Sequence, residues 1–285
     1  MRNTTYTLIT GASEGFGKSL ALECASRKMN LVLVALPGPE LICLADFIKR
    51  NYAVAVITFE KDLSIEENCF GLFKEMEALQ LPVNMLINNA GIGSTLRFDE
   101  GSLQLYQLQI KLNVLATTLI TRLFIGMLSK NVPSYILNVG SLSSFFFLPK
   151  KQVYGGTKSY IYFFSKSLRQ EIAAAGIGVS VICPGGMNTN PLQYLLNKTA
   201  GYIGRLSLMN PEEVAPIAIN GLLKGKEVII PGRLNRCFML LDKILPSFLK
   251  KMITSHQMKK MKPPATVNTA AVELNPLRPS IPLSA

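Results

Sequence analysis

Short apolar runs alternate along the chain with longer stretches in which apolar residues recur at helical spacing. The runs have the length of strands and cover residues 6–10, 30–35, 53–59, 84–90, 134–140, 178–184 and 227–231. Because they are apolar almost throughout, each predicts a strand that is buried on both faces. Such strands separated by helices predict an α/β protein in which right-handed crossovers give one doubly wound parallel sheet.

The chain length fits one large domain followed by a C-terminal segment of a different kind. Residues 1–235 contain all the predicted strands and can enclose a full core. Residues 236–262 alternate apolar and basic positions, which predicts a basic, helical, amphipathic extension. Residues 263–285 are proline-rich and weakly patterned, which predicts a disordered tail.

Composition restricts the class of protein. Hydrophobic residues make up 48% of the chain, yet no unbroken apolar run approaches the roughly 20 residues that span a bilayer, which predicts a soluble protein. The N-terminus lacks the apolar stretch of a signal peptide, which argues against secretion. Five scattered cysteines without CxxC spacing indicate a reducing, cytoplasmic compartment, and we interpret them as small core residues. His256 is the one histidine, so neither a Ser/His/Asp triad nor a metal site is expected.

The net charge of +12 is concentrated near the C-terminus. From Lys224 onward the chain has eleven Lys and Arg but three Asp and Glu. The extension could therefore lie as an amphipathic helix on an anionic membrane. It could equally pack on the domain or on a partner subunit with its lysines solvated. Nucleic-acid binding is not expected, because few aromatic residues accompany these charges and no recognised motif is present.

A glycine-rich turn, TGASEGFG, follows the first predicted strand and opens a helix. Its glycines let backbone amides approach a pyrophosphate closely, and the helix N-terminus adds partial positive charge. Ordinary turns also use glycine, but the strand before and the helix after favour a nucleotide site. The predicted contacts are Gly11, Ser13, Glu14, Gly15, Phe16 and Gly17.

Polar residues also follow the third and fourth predicted strands. Asp62, with Leu63 after it, could bind an adenine amino group or could cap the next helix, a role for which Ser64 competes. The asparagines of NNAG could tie adjacent strand ends together, and its glycine could leave room for a ribose; an ordinary turn is the alternative. The predicted contacts in this motif are Asn89, Ala90 and Gly91.

The residues after the second predicted strand leave the choice of dinucleotide open. Enzymes that prefer NAD usually carry an acid there for the ribose 2′-hydroxyl, and those that prefer NADP carry an arginine. Ala35 and Leu36 supply neither group, and Glu14 stands where a further cation would contact a 2′-phosphate.

Tyr154 and Lys158 are four residues apart in a predicted helix, so their side chains share a face. A phenol has a pKa of about 10, and a nearby ammonium favours the phenolate, which brings the group toward the range of efficient acid and base catalysis. Ser141, at the end of the fifth predicted strand, could donate to a carbonyl oxygen that gains charge. Each residue alone also has an ordinary structural interpretation. The ring of Tyr154 could pack in the core, Lys158 could lie on the surface, and Ser141 could cap a helix.

The order of these motifs resembles the short-chain dehydrogenase/reductase family over about residues 5–235. TGASEGFG, NNAG, Asn113, Ser141, YGGTK and PGGMNT follow one another as they do in that family. The resemblance implies a single-domain Rossmann-like oxidoreductase with a seven-stranded parallel sheet. Such an enzyme passes hydride between C4 of NAD(P)(H) and a carbonyl or alcohol.

The resemblance also implies a role for each of four catalytic residues. Tyr154 would give a proton to the carbonyl oxygen, and Ser141 would hold that oxygen. Lys158 would bind the nicotinamide ribose and lower the pKa of Tyr154, while Asn113 would hold a water in a relay to solvent. A catalytically silent nucleotide-binding or scaffold protein with the same fold is the alternative, which the intact tetrad disfavours.

Later segments would contact the nicotinamide and the substrate. The implied nicotinamide contacts in PGGMNT are Pro184, Gly185, Met187 and Thr189. The implied substrate contacts are Ser141, Phe145, Tyr154 and Tyr194, the last in an apolar segment placed like the family's substrate lid. The three phenylalanines at 145–147 suggest an apolar substrate, although packing beneath the loop explains any one ring equally well.

The C-terminal extension and the sequence VIIPGRLN look like the subgroup of 17-beta-hydroxysteroid and 3-oxoacyl-thioester reductases. This likeness implies a small, apolar, lipid-like ketone or alcohol as substrate and NADP(H) in preference to NAD(H). It also implies peripheral contact with a membrane. Family members are often dimers or tetramers, so a homo-oligomer is expected.

Overall fold

A seven-stranded, all-parallel sheet forms the centre of the computed structural model, which describes residues 5–188 and 207–244. The strands are β1 Tyr6–Thr10, β2 Asn30–Ala35, β3 Val56–Glu60, β4 Val83–Asn88, β5 Ser134–Val139, β6 Ile177–Ile182 and β7 Val228–Ile229. Their spatial order is β3-β2-β1-β4-β5-β6-β7. The predicted doubly wound Rossmann-like fold is therefore confirmed.

Helices cover both faces of this sheet. Those in the described residues are α1 Gly15–Ser26, α2 Pro39–Tyr52, α3 Glu66–Ala78, α4 Leu103–Ile110, α5 Thr117–Lys130, α6 Gln152–Ile172, α7 Pro211–Leu223 and α8 Arg233–Ile244. A π-helical turn, Lys111–Ala116, joins α4 to α5. Helices α1, α2 and α7 share one hydrophobic core with the sheet, and α3, α5 and α6 share the other.

Successive strand residues supply the two cores in turn, because side chains of a strand point alternately to opposite faces. Leu8 and Ile9 of β1 are both fully buried, Leu8 with α3 and α5 and Ile9 with α1 and α2. This is why the strands read as continuous apolar runs. Burying one such side chain stabilises the fold by about 1.5–3 kcal/mol.

Two predictions about local structure need correction. The third strand begins at Val56 and not at residue 53, because Ala53 adopts a left-handed conformation (φ +53°) that ends α2 and redirects the chain. The cysteines are not all core residues, since Cys43 and Cys237 are exposed. Both lie on helices, and a helix in contact with a core on one side presents its other side to solvent.

The last described helix, α8, crosses the predicted domain boundary at residue 235. Asn235 is buried and donates to the carbonyl oxygens of Pro231 (2.9 Å) and Ser207 (3.3 Å). Met239 packs against a small core cluster that contains Cys183 and Ile230. The beginning of the extension is thus built onto the domain. Residues 245–285, which include the predicted tail, lie outside the described part of the chain.

One helical stretch, Leu103–Lys130, is long and apolar enough to cross a membrane by length and composition, with a mean hydropathy of 1.5. Within it, Ile120, Phe124 and Leu128 of α5 belong to the core beneath the sheet. Core helices of globular domains have the same composition, so the stretch is weak evidence for a membrane span.

Candidate active site

The carboxyl ends of β1 and β4 meet where the strand order changes direction, which in open parallel sheets is the edge that binds ligands. The Thr10 hydroxyl accepts from the backbone N–H of Asn89 and of Ala90, each at 3.0 Å. The Asn89 amide donates to the carbonyl oxygens of Thr10 (3.0 Å) and Gly11 (2.9 Å). The NNAG motif therefore ties the strand ends together as predicted, and Thr10 is a partner that the sequence interpretation missed.

The glycine-rich turn leaves no room for side chains beside this edge. Gly11 has a φ of +63°, and a Cβ on it would lie 2.8 Å from Cα of Ala90. A Cβ on Gly17 would overlap the carbonyl oxygen of Gly11. The Phe16 side chain is buried in the core, so only its backbone belongs to the turn. A turn that excludes side chains at Gly11 and Gly17, at the N-terminus of a 12-residue helix, fits a pyrophosphate.

The remaining residues proposed for the nucleotide lie along the same edge. Ser13 is partly buried and Glu14 is exposed at the start of α1. The Asp62 carboxylate accepts from the backbone N–H (2.9 Å) and hydroxyl (2.7 Å) of Ser64, and Leu63 is buried. Ile65 is the N-cap of α3, so the interpretation of Asp62 or Ser64 as that cap was wrong. The adenine contact of Asp62 stays a prediction.

Tyr154 lies in the first turn of α6 and faces this same edge of the sheet. A Cβ on Gly93 would lie 3.2 Å from Cε2 of Tyr154, so the ring packs directly on the loop after β4. The Ser141 hydroxyl lies close enough to the Tyr154 phenol to favour its ionised form. The Lys158 ammonium lies 5.9 Å from the ring centroid, on the shared face that the i,i+4 spacing predicts.

Lys158 is buried and held by strand β5. Its Nζ donates to the carbonyl oxygen of Val139 at 2.7 Å, and a Cβ on Gly91 would lie 3.5 Å from this nitrogen. Burial lowers the pKa of Lys158 to about 8, and the opposing influence of Cys183 is smaller. The ammonium is therefore fixed beside the residues predicted to contact a ribose.

The pKa of Tyr154 does not change in the expected direction. Burial raises the pKa of its phenol, and the neighbouring Ser141 hydroxyl lowers that pKa by less. The predicted net lowering by Lys158 is wrong for the chain without cofactor. The physical reason is that burial disfavours both charges, while the Lys158 ammonium is bonded to Val139 and lies 5.9 Å from the phenol ring's centre.

Asn113 is buried in the π-helical turn, and its side chain is fully engaged. Its amide donates to the Ile92 carbonyl (2.9 Å) and the Thr157 hydroxyl (3.0 Å), and its oxygen accepts from the Ile92 N–H (2.9 Å). These bonds fix the loop after β4 against α6. The predicted water contact of Asn113 stays a prediction, and π-helical turns recur at functional sites.

Ser141 combines two of the roles weighed for it. Its hydroxyl lies beside the Tyr154 phenol, and its Oγ accepts from the Ser143 N–H at 3.1 Å and so caps a short 3-10 turn, Leu142–Ser144. Cys183 is buried beside it, with Sγ 3.1 Å from where a Cβ on Gly140 would lie. This proximity was not predicted from the sequence, because the ends of β5 and β6 meet only in the folded sheet.

The substrate side of the site is described in part. Phe145 packs edge-on against Tyr162, with ring centroids 4.8 Å apart, and contacts the core cluster, so packing beneath the loop accounts for this ring. Phe147 is 93% exposed. Pro184 is buried, and Gly185 and Met187 lead from β6 toward the predicted lid. Thr189, Tyr194 and the rest of that lid lie outside the described residues.

Comparisons with known proteins match this arrangement. The family model described as short chain dehydrogenase matches residues 5–199. Very-long-chain 3-oxoacyl-CoA reductase from Scheffersomyces stipitis is 30% identical over 230 residues, which cover 76% of this chain and 63% of that protein. The chain thus spans less than two thirds of that relative's length.

Two further proteins are similar over most of their own length. The 3-oxoacyl-[acyl-carrier-protein] reductase FabG of Aquifex aeolicus is 28% identical, with 75% of this chain and 88% of that protein covered. A short-chain dehydrogenase from Sphingobium yanoikuyae, solved in complex with NADPH, superposes with a TM-score of 0.72 at 26% identity, with 84% of this chain and 93% of the other covered.

Proposed function

The chain belongs to the short-chain dehydrogenase family, and from this premise we propose that it is an oxidoreductase that transfers hydride between a nicotinamide cofactor and a carbonyl or alcohol. The observation that carries the proposal is the convergence of Tyr154, Ser141 and Lys158 at the edge of the sheet where β1 and β4 diverge. When bound, the nicotinamide supplies or accepts the hydride.

The side chains at this edge divide the remaining work. Tyr154 gives a proton to the carbonyl oxygen during reduction and takes it back during oxidation. Ser141, which lies beside the Tyr154 phenol, donates to the same oxygen and stabilises its developing charge. Lys158 and the glycine-lined edge hold the ribose, and the Asn113 side chain keeps the loop after β4 in contact with Tyr154's helix.

We propose NADP(H) as the preferred dinucleotide. The carboxyl end of β2 carries Ala35 and an exposed Leu36, so no acid at these positions repels a 2′-phosphate or binds the ribose hydroxyl. Glu60 at the end of β3 bonds the backbone N–H of Gly38 (2.9 Å) and is thereby engaged in the turn. The NADPH complex of the Sphingobium relative supports the same choice.

The expected result of mixing the protein with apolar ketones and either reduced dinucleotide is oxidation of NADPH in preference to NADH. Loss of absorbance of the reduced cofactor measures turnover, and calorimetry measures the affinity for each dinucleotide. Binding without oxidation across the ketone panel would overturn the enzymatic proposal and favour a silent nucleotide-binding protein. Tighter binding of NADH would overturn the cofactor choice alone.

We propose a lipid-like ketone or alcohol as substrate, in keeping with the printed names of the 3-oxoacyl reductases to which the chain is similar. The exposed Phe147 ring, in the loop between Ser141 and Tyr154, is an apolar surface on the substrate side. Assembly as a homo-oligomer and peripheral membrane contact belong to the same proposal, and the membrane contact can be tested separately.

Removal of residues 245–285 is expected to abolish flotation of the protein with phosphatidylserine vesicles. The segment carries six Lys and Arg, each worth about 1 kcal/mol near an anionic surface. The truncation starts after Ile244 because Arg236 (Nε to the Ile230 carbonyl, 2.9 Å) and Met239 contact the domain. Neutral vesicles are the control. Equal flotation of both proteins with anionic vesicles would contradict membrane contact through this segment.

A further inference from the structure

A second lysine, Lys151, approaches the ring of Tyr154. Its Nζ lies 5.2 Å from the ring centroid, closer than the 5.9 Å of Lys158. The side chain is half-buried, and burial lowers the pKa of Lys151. The ring of the proposed proton donor thus lies within cation–π distance of two ammonium groups. Of these two lysines, only Lys158 belongs to the four catalytic residues that the family resemblance implies.

The backbone that carries Lys151 is fixed on both sides. Lys150 adopts a left-handed conformation (φ +67°), which is unfavourable for a residue with a side chain. Its carbonyl accepts from the Leu96 N–H at 2.9 Å, and the Lys151 N–H donates to the Leu148 carbonyl at 3.2 Å. The loop after β4 therefore clamps this turn, and Lys151 enters α6 at a defined place beside the site.

Nothing in the described structure balances this charge. Among residues 5–188 and 207–244, Lys151 forms no ion pair within 4 Å. The acids of the neighbouring loop, Asp99 and Glu100, both pair with Arg97. Lys151 is the N-cap of α6, whose first turn has no acid, so the helix dipole also disfavours a cation there. The sequence from 189 to 206 contains no Asp or Glu.

We propose that Lys151 binds a carboxylate carried by the substrate a few bonds from its carbonyl, so that the enzyme favours oxo acids over neutral ketones. The inference rests on the proposed function, because it places the reacting carbonyl at Tyr154. A substrate anion supplies the counterion that the described residues do not provide. A partly desolvated ammonium attracts an anion more strongly than an exposed one, since water screens it less.

The position of Lys151 also limits the kind of anion. Its ammonium lies beside the Tyr154 ring. A carbonyl that is hydrogen-bonded to the phenol and a carboxylate that is paired with Lys151 therefore belong to neighbouring parts of one small molecule. A phosphate at the far end of a long carrier would lie beyond this reach. Lys151 binds the carboxylate equally well in the ground state and in the transition state. Loss of this contact therefore raises KM and leaves kcat nearly unchanged.

The test uses the full-length protein with its preferred reduced dinucleotide. The probes are straight-chain oxo acids with the ketone at increasing distance from the carboxylate, each paired with its methyl ester. For the favoured spacing, Lys151→Gln is expected to reduce the acid-to-ester ratio of kcat/KM by about tenfold, as for a hydrogen bond to a charged group. The loss should appear in KM, and Lys151→Arg should retain most of the ratio.

Lys150→Gln is the matched control, since it removes the same charge one residue away and should leave the ratio nearly unchanged. An unchanged ratio in Lys151→Gln, or an equal fall in both variants, would overturn the proposal. If neutral ketones are reduced but the acid has no advantage at any spacing, this inference alone fails. If no ketone or oxo acid is reduced, the proposed function fails first. Circular dichroism and cofactor affinity verify that each variant is folded.

Discussion

Replacement of Tyr154 by phenylalanine is expected to lower kcat for ketone reduction by about a hundredfold to ten-thousandfold. The change removes the proposed proton donor and little else. The ring remains to pack on Gly93 and to face Lys151, because both contacts involve ring atoms. The phenol hydroxyl beside Ser141 is lost, so Ser141 alone remains to stabilise the carbonyl oxygen.

Cofactor affinity should change little in this variant, since the glycine-rich turn and Lys158 are untouched. Calorimetry with the dinucleotide and steady-state kinetics separate the two effects. Tyr160→Phe is the matched control: it lies on the same helix, and its hydroxyl contacts Thr118 (2.9 Å) and no proposed site residue. Retention of most of the activity in Tyr154→Phe would show that another group supplies the proton.

The sequence predicted the sheet well because burial on both faces leaves a simple mark. Each strand of a covered parallel sheet must be apolar at odd and even positions alike, as Leu8 and Ile9 are. The pairing of Tyr154 with Lys158 was also predictable, since i,i+4 neighbours on a helix must share a face. These features depend on local spacing alone.

Other features depend on how distant segments meet. Nothing near Lys158 in the sequence indicates that the Val139 carbonyl would accept a hydrogen bond from its ammonium, or that Gly93 would lie against the Tyr154 ring. The direction of the Tyr154 pKa shift was mistaken for the same reason: the helix spacing shows the neighbouring cation, whereas burial is set by loops elsewhere in the chain. No motif in the sequence marks Lys151.

Replacement of Lys158 by methionine is expected to have two opposite effects. Turnover should fall by about a hundredfold or more, because the proposed ribose contact and the cation beside Tyr154 are both lost. The free energy of unfolding of the cofactor-free chain should rise at neutral pH. Methionine fills similar space without a buried charge, at the expense of leaving the Val139 carbonyl without its donor.

The pH dependence of stability follows from the pKa of Lys158. Its folded-state pKa of about 8 lies below the ordinary lysine value of 10.5. Between these values the unfolded chain holds the proton and the folded chain has released it, so the stability of the wild type rises with pH. Below this window Lys158 is protonated in both states, and burial of its charge destabilises the folded state by roughly 3 kcal/mol. The lost hydrogen bond offsets about 1–3 kcal/mol of that gain in the variant.

The variant should therefore be the more stable protein at about pH 7, and its advantage should disappear as the pH approaches the ordinary lysine value. Urea unfolding without cofactor at several pH values measures the difference. Lys166→Met is the matched control on the same helix: this lysine is partly exposed, lies 3.6 Å from Glu227 and should show no such trend. If the difference in free energy of unfolding between Lys158→Met and the wild type does not vary with pH, the buried charge of Lys158 does not destabilise the folded state, and the prediction is wrong.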